Sequence, residues 1–305
     1  PSGNVSFMSQ SGAFVTAVVD WALEAGLGFN DIVSLGNKSV LDETDFVRAW
    51  GGDPDTDVIV GYLESVVDGR GFVQAARETT PDTPVVVVKS GRTDAGAQAA
   101  SSHTGAIAGA DSAYEAGLDA AGVLRATSVQ ELFDSARALA GGLIPDTDGV
   151  AVVTNAGGPG VMATDAVGDA DRLRLASFSE TTVTDLQETM PAEANVYNPV
   201  DVIGDADVDR LQTALETTLA DGDVGSAVVI TAPTATLVGV GVPAMPEVEL
   251  GVPRGVLESL PEEDEAARRD MQRAVAGLEA LAEYRDIRGR RYEEPEPVDA
   301  DRERV

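Results

Sequence analysis

The chain has 305 residues, enough for two domains of ordinary size, and 43% of them are hydrophobic. Its 52 acidic and 21 basic residues give a net charge of −31, which argues against nucleic acid or anionic membranes as partners. The charge is spread along the chain and predicts a halophilic protein of a high-salt cytoplasm, where salt screens self-repulsion. Since cysteine is absent, disulfides and thiolate chemistry are excluded. No apolar run has the length of about 18 residues that spans a membrane.

The first part of the chain alternates short apolar runs with helical patterns. Strands are predicted at residues Val5–Met8, Asp31–Leu35, Val58–Leu63, Pro84–Val88 and Val123–Arg125. Helices are predicted between them and after them, at Ala13–Ala25, Glu43–Trp50, Gly71–Thr79, Ser112–Ala121 and Val129–Ala140. This alternating order predicts an α/β fold, with a parallel sheet that carries helices on both faces.

A second unit begins in the same way after a stretch of turn-forming residues. We predict a first domain over residues 1–141, a linker over 142–149 and a second domain over 150–292. The second domain repeats the order strand, glycine loop and helix, and its predicted elements are Val150–Thr154, Asn155–Gly160, Val161–Val167, Asp207–Ala220 and Ser226–Ile230. Residues 234–261 show no clear period, a charged helix is predicted over 262–288, and 293–305 form a polar tail. The second domain is therefore predicted to be incomplete.

His103 is the only histidine of the chain, and small residues flank it on both sides. Without a second histidine or a cysteine it cannot belong to a zinc site, so it acts as a single base or nucleophile or is an ordinary structural histidine. Glu64 follows the third predicted strand, and the carboxyl ends of parallel strands face the ligand crevice. Glu64 is either a solvated carboxylate or the group that holds one ring nitrogen of His103 and leaves the other free to attack.

Two glycine-containing loops each follow a strand and open a helix. Backbone N–H groups at a helix start suit phosphate, and the candidate phosphate-binding residues are Ser9, Gln10, Ser11, Gly12, Asn155, Gly157, Gly158 and Gly160. Neither loop matches a nucleotide fingerprint, and tight strand-to-helix turns need glycine in any case. Together with His103 and Glu64, however, the loops favour phosphate carried on histidine.

These residues lie within motifs that resemble one family, the NDP-forming acyl-CoA synthetases. The similarity is strongest to ADP-forming acetyl-CoA synthetase and extends more distantly to succinyl-CoA synthetase. It covers about residues 3–233 and resumes near residues 278–285. The motifs that carry it, in chain order, are Ser9-Gln10-Ser11-Gly12-Ala13, Ser34-Leu35-Gly36-Asn37, Tyr62-Leu63-Glu64, Val88-Lys89-Ser90-Gly91-Arg92-Thr93, Ser101-Ser102-His103-Thr104-Gly105, Thr154-Asn155-Ala156-Gly157-Gly158-Pro159-Gly160 and Asn198-Pro199-Val200-Asp201.

The resemblance implies two flavodoxin-like, succinyl-CoA synthetase-like domains, the second of them incomplete. It implies that His103 is a phosphohistidine oriented by Glu64, and that the two helix starts cradle the phosphoryl group. The implied reaction is acyl-CoA + ADP + phosphate ⇌ acid + CoA + ATP, with acetate or a related small carboxylic acid. Coenzyme A, ADP or ATP, and phosphate are then substrates, and no metal is expected on this chain.

Two parts of the family pattern are not found in this sequence. They are the CoA-binding Rossmann domain and the ATP-grasp domain, which would hold the nucleotide and Mg²⁺. We therefore expect CoA-binding and ATP-grasp domains or subunits as partners, and an oligomer. The alternative is a non-catalytic or regulatory fragment of such a ligase. The related protein acyltransferases fit less well, because nothing here resembles their acetyltransferase domain.

Overall fold

The computed structural model describes residues 2–93, 95, 96, 98, 111–232, 257–259 and 264–290. The first sheet has five parallel strands in the order β2-β1-β3-β4-β5, which is the flavodoxin-like order. The strands are β1 (Ser2–Ser9), β2 (Phe29–Ser34), β3 (Val58–Leu63), β4 (Val85–Lys89) and β5 (Leu124–Ala126). This sheet confirms the α/β prediction for the first part of the chain.

The described helices of the first part are α1 (Gly12–Ala25), α2 (Glu43–Trp50), α3 (Gly69–Thr79), α4 (Asp111–Ala121) and α5 (Val129–Ala140). The predictions for α2, β3 and α5 are confirmed to the residue, and the other elements differ by a few residues at their ends. Both matched helices begin at a side-chain cap. Asp42 caps α2 in a capping box, and Ser128 caps α5.

The second sheet has the order β10-β9-β6-β7, with β8 also paired to β6. Its strands are β6 (Gly149–Thr154), β7 (Arg174–Leu175), β8 (Val200–Asp201), β9 (Ser226–Thr231) and β10 (Leu257–Ser259). The helices that follow them are α6 (Gly157–Asp169), α7 (Glu180–Thr189), α8 (Val208–Leu219) and α9 (Asp264–Gly289). In its described part this sheet repeats the first four positions of the flavodoxin-like order, with β7 and β8 sharing one position.

Four of these elements were not predicted from the sequence, namely β7, β8, α7 and β10. Strands β7 and β8 contain two residues each, too few for a period to show. Helix α7 carries four threonines in ten residues, and threonine is a weak helix former. Strand β10 lies inside residues 234–261, where no element was expected, and it extends the second sheet by pairing with β9.

Both sheets bury their two faces, as the β-branched runs predict. In the first sheet, Phe7 and its neighbours on one face pack against α1 and α5, and Met8 and its neighbours on the other pack against α2, α3 and α4. In the second sheet, Val153 lies on the face covered by α7 and α8, while Val152 faces α6 and α9. Along each central strand, successive side chains face opposite sides of the sheet.

Helix α9 joins the two sheets. It contacts α5, which covers the first sheet, and α6, which covers the second, and Leu281 at its centre is fully buried. Residues of both sheets and these helices form one continuous apolar core. The predicted charged helix is thus confirmed, and its buried stripe links the two units; the domain limits at 141 and 150 remain predictions. No described helix is both long and apolar enough to cross a membrane.

Candidate functional site

The carboxyl ends of β1 and β3 form the candidate site of the first sheet. The chain leaves β1 toward β2 on one side and leaves β3 toward β4 on the other, so a crevice opens between the two strand ends. Glu64 follows β3 directly and is half-buried. The residues Ser9, Gln10, Ser11 and Gly12 lie where β1 passes into α1. The structure therefore brings Glu64 and the first predicted phosphate loop to one edge.

The side chain of Gln10 holds the turn that carries Glu64. Its Oε1 accepts hydrogen bonds from the backbone N–H groups of Glu64 and Ser65, the latter at 3.0 Å. Its Nε2 donates to the Ser65 hydroxyl at 3.3 Å, and its own N–H donates to the carbonyl of Tyr62 at 3.0 Å. Both ends of the carboxamide are therefore engaged in fixing Glu64. The predicted phosphate contact of Gln10 would have to compete with these bonds.

Ser9 and Ser11 shape the start of α1. The Ser9 hydroxyl accepts from the Ser11 N–H and donates to the Ser11 carbonyl, both at 3.0 Å. The Ser11 hydroxyl in turn accepts from the N–H of Phe14 at 3.3 Å and caps the helix. Gly12 opens the helix and is exposed. The helix start thus points into the crevice with one of its first N–H groups already bonded to its own cap.

Lys38 ties a second loop to the Glu64 turn. Its ammonium lies 2.5 Å from the carbonyl oxygen of Ser65 and 2.7 Å from Glu43 Oε2. Both charged side chains are buried, and Glu43 Oε1 also accepts from the N–H of Val67 at 2.8 Å. Lys38 itself has φ of 53°, a left-handed conformation that is uncommon outside glycine. This ion pair and the Gln10 bonds restrain the Glu64 turn from two sides.

Lys89 ends β4 at the same edge, next to β3. In the register of the sheet it pairs with Leu63, the residue before Glu64. Its ammonium donates to the carbonyl of Ser90 and lies 4.4 Å from the ring centroid of Tyr114. Burial lowers the pKa of Lys89, and the nearby positive charges of Arg125 and Lys38 lower it further, whereas Asp111 and Glu64 act in the opposite direction.

His103 lies outside the described residues, but both described ends of its segment are at this edge. Strand β4 ends at Lys89 before this segment, and α4 begins at Asp111 after it. Because α4 runs back along the parallel sheet, its first residue lies near the carboxyl ends of the strands. The last strand before His103 therefore ends at the Glu64 edge, and the first described helix after it begins near the same edge.

The second sheet repeats this turn with different residues. The Thr154 hydroxyl accepts from the Ala156 N–H at 3.0 Å and donates to the Ala156 carbonyl at 2.9 Å, as Ser9 does with Ser11. Asn155, only 2% exposed, accepts from the N–H of Ala232 at 2.7 Å and donates to its carbonyl at 3.1 Å. Asn155 therefore locks the residue after β9, as Gln10 locks those after β3. The two loops are equivalent positions of an internal repeat.

The three predicted phosphate-binding glycines of the second unit lie inside α6, which begins at Gly157 rather than at Val161. The loop is shorter than predicted, because two residues suffice to turn from β6 into the helix. A Cβ on Gly160 would lie 2.8 Å from Thr154 Cγ2, and one on Gly158 would meet nothing within 4 Å. Gly160 is therefore required by packing, whereas Gly158 faces open space.

The carboxylate of Asp201 lies beside the start of α6. A Cβ on Gly157 would lie 3.1 Å from Asp201 Oδ2, and Asp201 Oδ1 accepts from the N–H of Ile203 at 3.0 Å. Ala156, at the N-cap, supplies no side-chain hydrogen bond. A carboxylate at a helix start is favourable electrostatically. A phosphate at the start of α6 would therefore have to share it with Asp201.

Sequence reasoning found Glu64 and the two helix starts but gave no role to Lys38, Lys89 or Asp201. A signal was present for the lysines, because they are the only two in a chain of 21 basic residues. Asp201 belongs to a motif that the resemblance includes, yet its distance of 44 residues from Gly157 hides their proximity. Among the described residues, no three carboxylate or imidazole side chains come together as a metal site.

Comparisons with known proteins agree with the fold of the first sheet. Residues 2–139 match the succinyl-CoA ligase like flavodoxin domain, and residues 245–290 match a family of unknown function. The chain is 44% identical over 235 residues to acetate–CoA ligase [ADP-forming] I of Archaeoglobus fulgidus, covering 77% of this chain and 34% of that protein. It is 37% identical over 235 residues to subunit alpha of acetate–CoA ligase [ADP-forming] I of Pyrococcus furiosus, covering 77% of this chain and 50% of that subunit.

A solved structure extends the similarity to the fold of nearly the whole chain. It is the dinucleotide forming acetyl-coenzyme A synthetase 1 of Ca. Korarchaeum cryptofilum in complex with phosphate and ADP. The TM-score is 0.81 at 33% sequence identity, over 94% of this chain and 66% of that one. The chain spans a third to a half of the curated relatives named above. Residues 2–139 therefore form a succinyl-CoA ligase like flavodoxin domain, and the chain is similar in sequence and fold to ADP-forming acetyl-CoA synthetases.

Proposed function

We propose that this chain is the phosphohistidine-carrying part of an ADP-forming acid–CoA ligase. The supporting observation is the first sheet edge, where Gln10 holds the backbone of Glu64 near the start of α1 and where the neighbouring strand β4 ends before the His103 segment. The relatives are ADP-forming acetate–CoA ligases, which supports a small carboxylic acid such as acetate as the substrate. Coenzyme A, phosphate and ADP are the other proposed substrates.

In the proposed step, an unprotonated ring nitrogen of His103 attacks the phosphorus of an acyl phosphate. A nitrogen–phosphorus bond forms, the bond from phosphorus to the acyl oxygen breaks, and the carboxylate leaves with the electron pair. The proton on the other ring nitrogen stays there and is held by the carboxylate of Glu64, which stabilises the charge that develops on the ring. N–H groups at the starts of α1 and α6 are proposed to stabilise the phosphoryl oxygens.

The chain is proposed to work with partner modules. The relative from Pyrococcus furiosus is named subunit alpha, and the relative from Archaeoglobus fulgidus is about three times longer than its aligned part. We therefore propose CoA-binding and ATP-grasp modules as partners, with Mg²⁺ on the ATP-grasp module, and an oligomeric assembly. Exposed apolar side chains on two helices support such contacts, at Val19 and Leu23 of α1 and Val161 of α6.

The test is phosphorylation by a small donor, which needs no partner. The chain is incubated with acetyl [³²P]phosphate, and the label is examined for the stability of phosphohistidine, which is lost in acid and kept in base. We expect label on the wild-type chain and none on His103→Gln. Equal labelling of His103→Gln, or none of the wild type with or without a nucleotide-binding partner, would contradict the proposal and favour the non-catalytic alternative.

A further inference from the structure

The two lysines of this acidic chain both lie at the Glu64 edge. Lys38 is in the loop after β2, and Lys89 is the last residue of β4. The chain has 52 acidic residues against 21 basic ones, so positive charge is scarce on it. A phosphoryl group that approaches Glu64 meets both that carboxylate and the field of the whole protein. It needs local positive charge to stay there.

The two lysines differ in how their charge is balanced. Lys38 lies 2.7 Å from Glu43, so its charge is neutralised by a buried partner. Lys89, in contrast, has no carboxylate within 4 Å among the residues that the structure describes. Its ammonium contacts a carbonyl oxygen and an aromatic ring, which are both neutral. Of these two lysines, it is therefore Lys89 whose charge is left to offer to an anion.

Burial makes this unbalanced charge costly. Lys89 is 6% exposed, so most of the water that would solvate its ammonium is displaced. The acidic groups that act on it, Asp111 and Glu64, are beyond ion-pair distance, and Arg125 and Lys38 oppose them. Asp111 is in turn bound by Arg125 at 2.5 Å. An ammonium in these surroundings gains more from a bound anion than a solvated one does.

We propose that Lys89 forms the cationic subsite for the phosphoryl group at the Glu64 edge, both for inorganic phosphate and for the phosphoryl group of an acyl phosphate. The identity of the ligand rests on the proposed function. The subsite itself rests on the position of Lys89, which is paired with Leu63 and precedes the His103 segment. Lys89 would offset the charge of Glu64, so that one edge can hold a carboxylate and a phosphoryl group together.

The first experiment uses the fact that the chain has only two lysines. The full chain is labelled with [¹³Cε]lysine, and its two signals are assigned with Lys89→Arg. Inorganic phosphate is titrated at constant ionic strength, with chloride as the comparison. We expect the Lys89 signal to move saturably and its pKa to rise as phosphate binds, while the signal of Lys38 stays in place. An unmoved Lys89 signal, or equal movement of both signals, would overturn the subsite.

The second experiment measures labelling by acetyl phosphate in Lys89→Met and Lys89→Arg. Loss of a charge-assisted contact is expected to raise KM for acetyl phosphate about 10–100-fold in Lys89→Met, with partial recovery in Lys89→Arg. Thermal melting checks that the variants fold. If Lys89→Met does not fold, the subsite is tested by the KM of Lys89→Arg relative to the wild type and by the lysine signals of the first experiment. An unchanged KM in a folded Lys89→Met would contradict the subsite.

The two experiments also separate the inference from the function on which it rests. A wild-type chain that is not labelled, but whose Lys89 signal responds to phosphate, would refute phosphohistidine chemistry and leave the subsite standing. A wild-type chain that is labelled, but whose Lys89 signal is silent, would refute the subsite alone.

Discussion

The two sheets of this protein share one turn structure after their first strand but differ in the charged side chains that lie near it. In each, a hydroxyl at the end of the first strand closes the turn, and the next side chain, Gln10 or Asn155, locks the strand end beside it. The first edge adds Glu64 and two lysines. The second edge adds Asp201 near an uncapped helix start. The same backbone turn thus carries two different sets of charged side chains.

The largest effect is expected at the carboxylate of the first edge. Glu64→Gln keeps the shape of the side chain but removes the charge that would hold the His103 ring. Labelling of His103 by acetyl phosphate should slow about 10–100-fold, the range found for carboxylates that orient metal-ligating histidines. Glu78→Gln, an exposed change on α3, is the control. If the two variants are labelled equally fast, Glu64 has no special role and the contrast between the edges disappears.

The second prediction concerns the packing of the second turn. Gly160→Ala should lower the free energy of unfolding by about 1–3 kcal/mol, because its Cβ would meet Thr154 Cγ2 at 2.8 Å. Thr154→Ser, which gives this turn the serine of the first one, should recover much of the loss in the double variant. Gly158→Ala has open space and should change stability by less than about 1 kcal/mol.

Denaturant unfolding measures all four chains. Two results would show that the contact does not explain Gly160. One is a double variant no more stable than Gly160→Ala, and the other is a Gly158→Ala variant as unstable as Gly160→Ala.

An exchange of caps tests the third difference between the edges. Ser11→Ala removes the hydroxyl that caps α1 and should cost about 1 kcal/mol. Ala156→Ser introduces a hydroxyl where α6 has no side-chain cap, and should gain a similar amount or less. Thermal melting measures both. A stabilising Ser11→Ala or a destabilising Ala156→Ser would mean that the two helix starts are not equivalent.

The smallest effect is expected at an ion pair of the second unit. Hydrogen bonds from Arg174 and from the N–H of Ser177 lower the pKa of Asp223 to about 2. The carboxylate therefore contributes stability that is fully present above its ordinary pKa near 3.8 and is lost as the pH falls through about 2. Because the pair is partly exposed, Asp223→Asn should cost about 0.2–1 kcal/mol at pH 7.

The measurement is chemical denaturation of Asp223→Asn and the wild type between pH 7 and pH 2. The difference between them should shrink as the pH falls. A difference that stays constant over this range would show that the charge of Asp223 does not contribute.

How much the sequence predicts depends on the length of the pattern. Helices α2 and α5 are predicted to the residue because each has a clear period and a capping side chain, and strand β3 because its apolar run lies between Asp57 and Glu64. Strands β7 and β8 are missed because two residues carry no period, and they exist only as partners of β6. The placement of Glu64 at the strand edge is predicted because it follows directly from parallel sheet geometry.

The sequence by itself determined the α/β class, the repeated strand–turn–helix and the family resemblance, since these depend on local periods and on motifs in a fixed order. Only the tertiary structure decided what Gln10, Lys38, Lys89, Asn155 and Asp201 do. Their partners lie on other strands and loops, and the same residue type serves as a structural lock, a buried ion pair or an unbalanced charge according to what packs beside it. Lys38 and Lys89 are the same residue type. The ammonium of Lys38 has Glu43 at 2.7 Å, whereas that of Lys89 has a carbonyl oxygen and an aromatic ring. Because both ammonium groups are buried, only the first charge is neutralised by its surroundings.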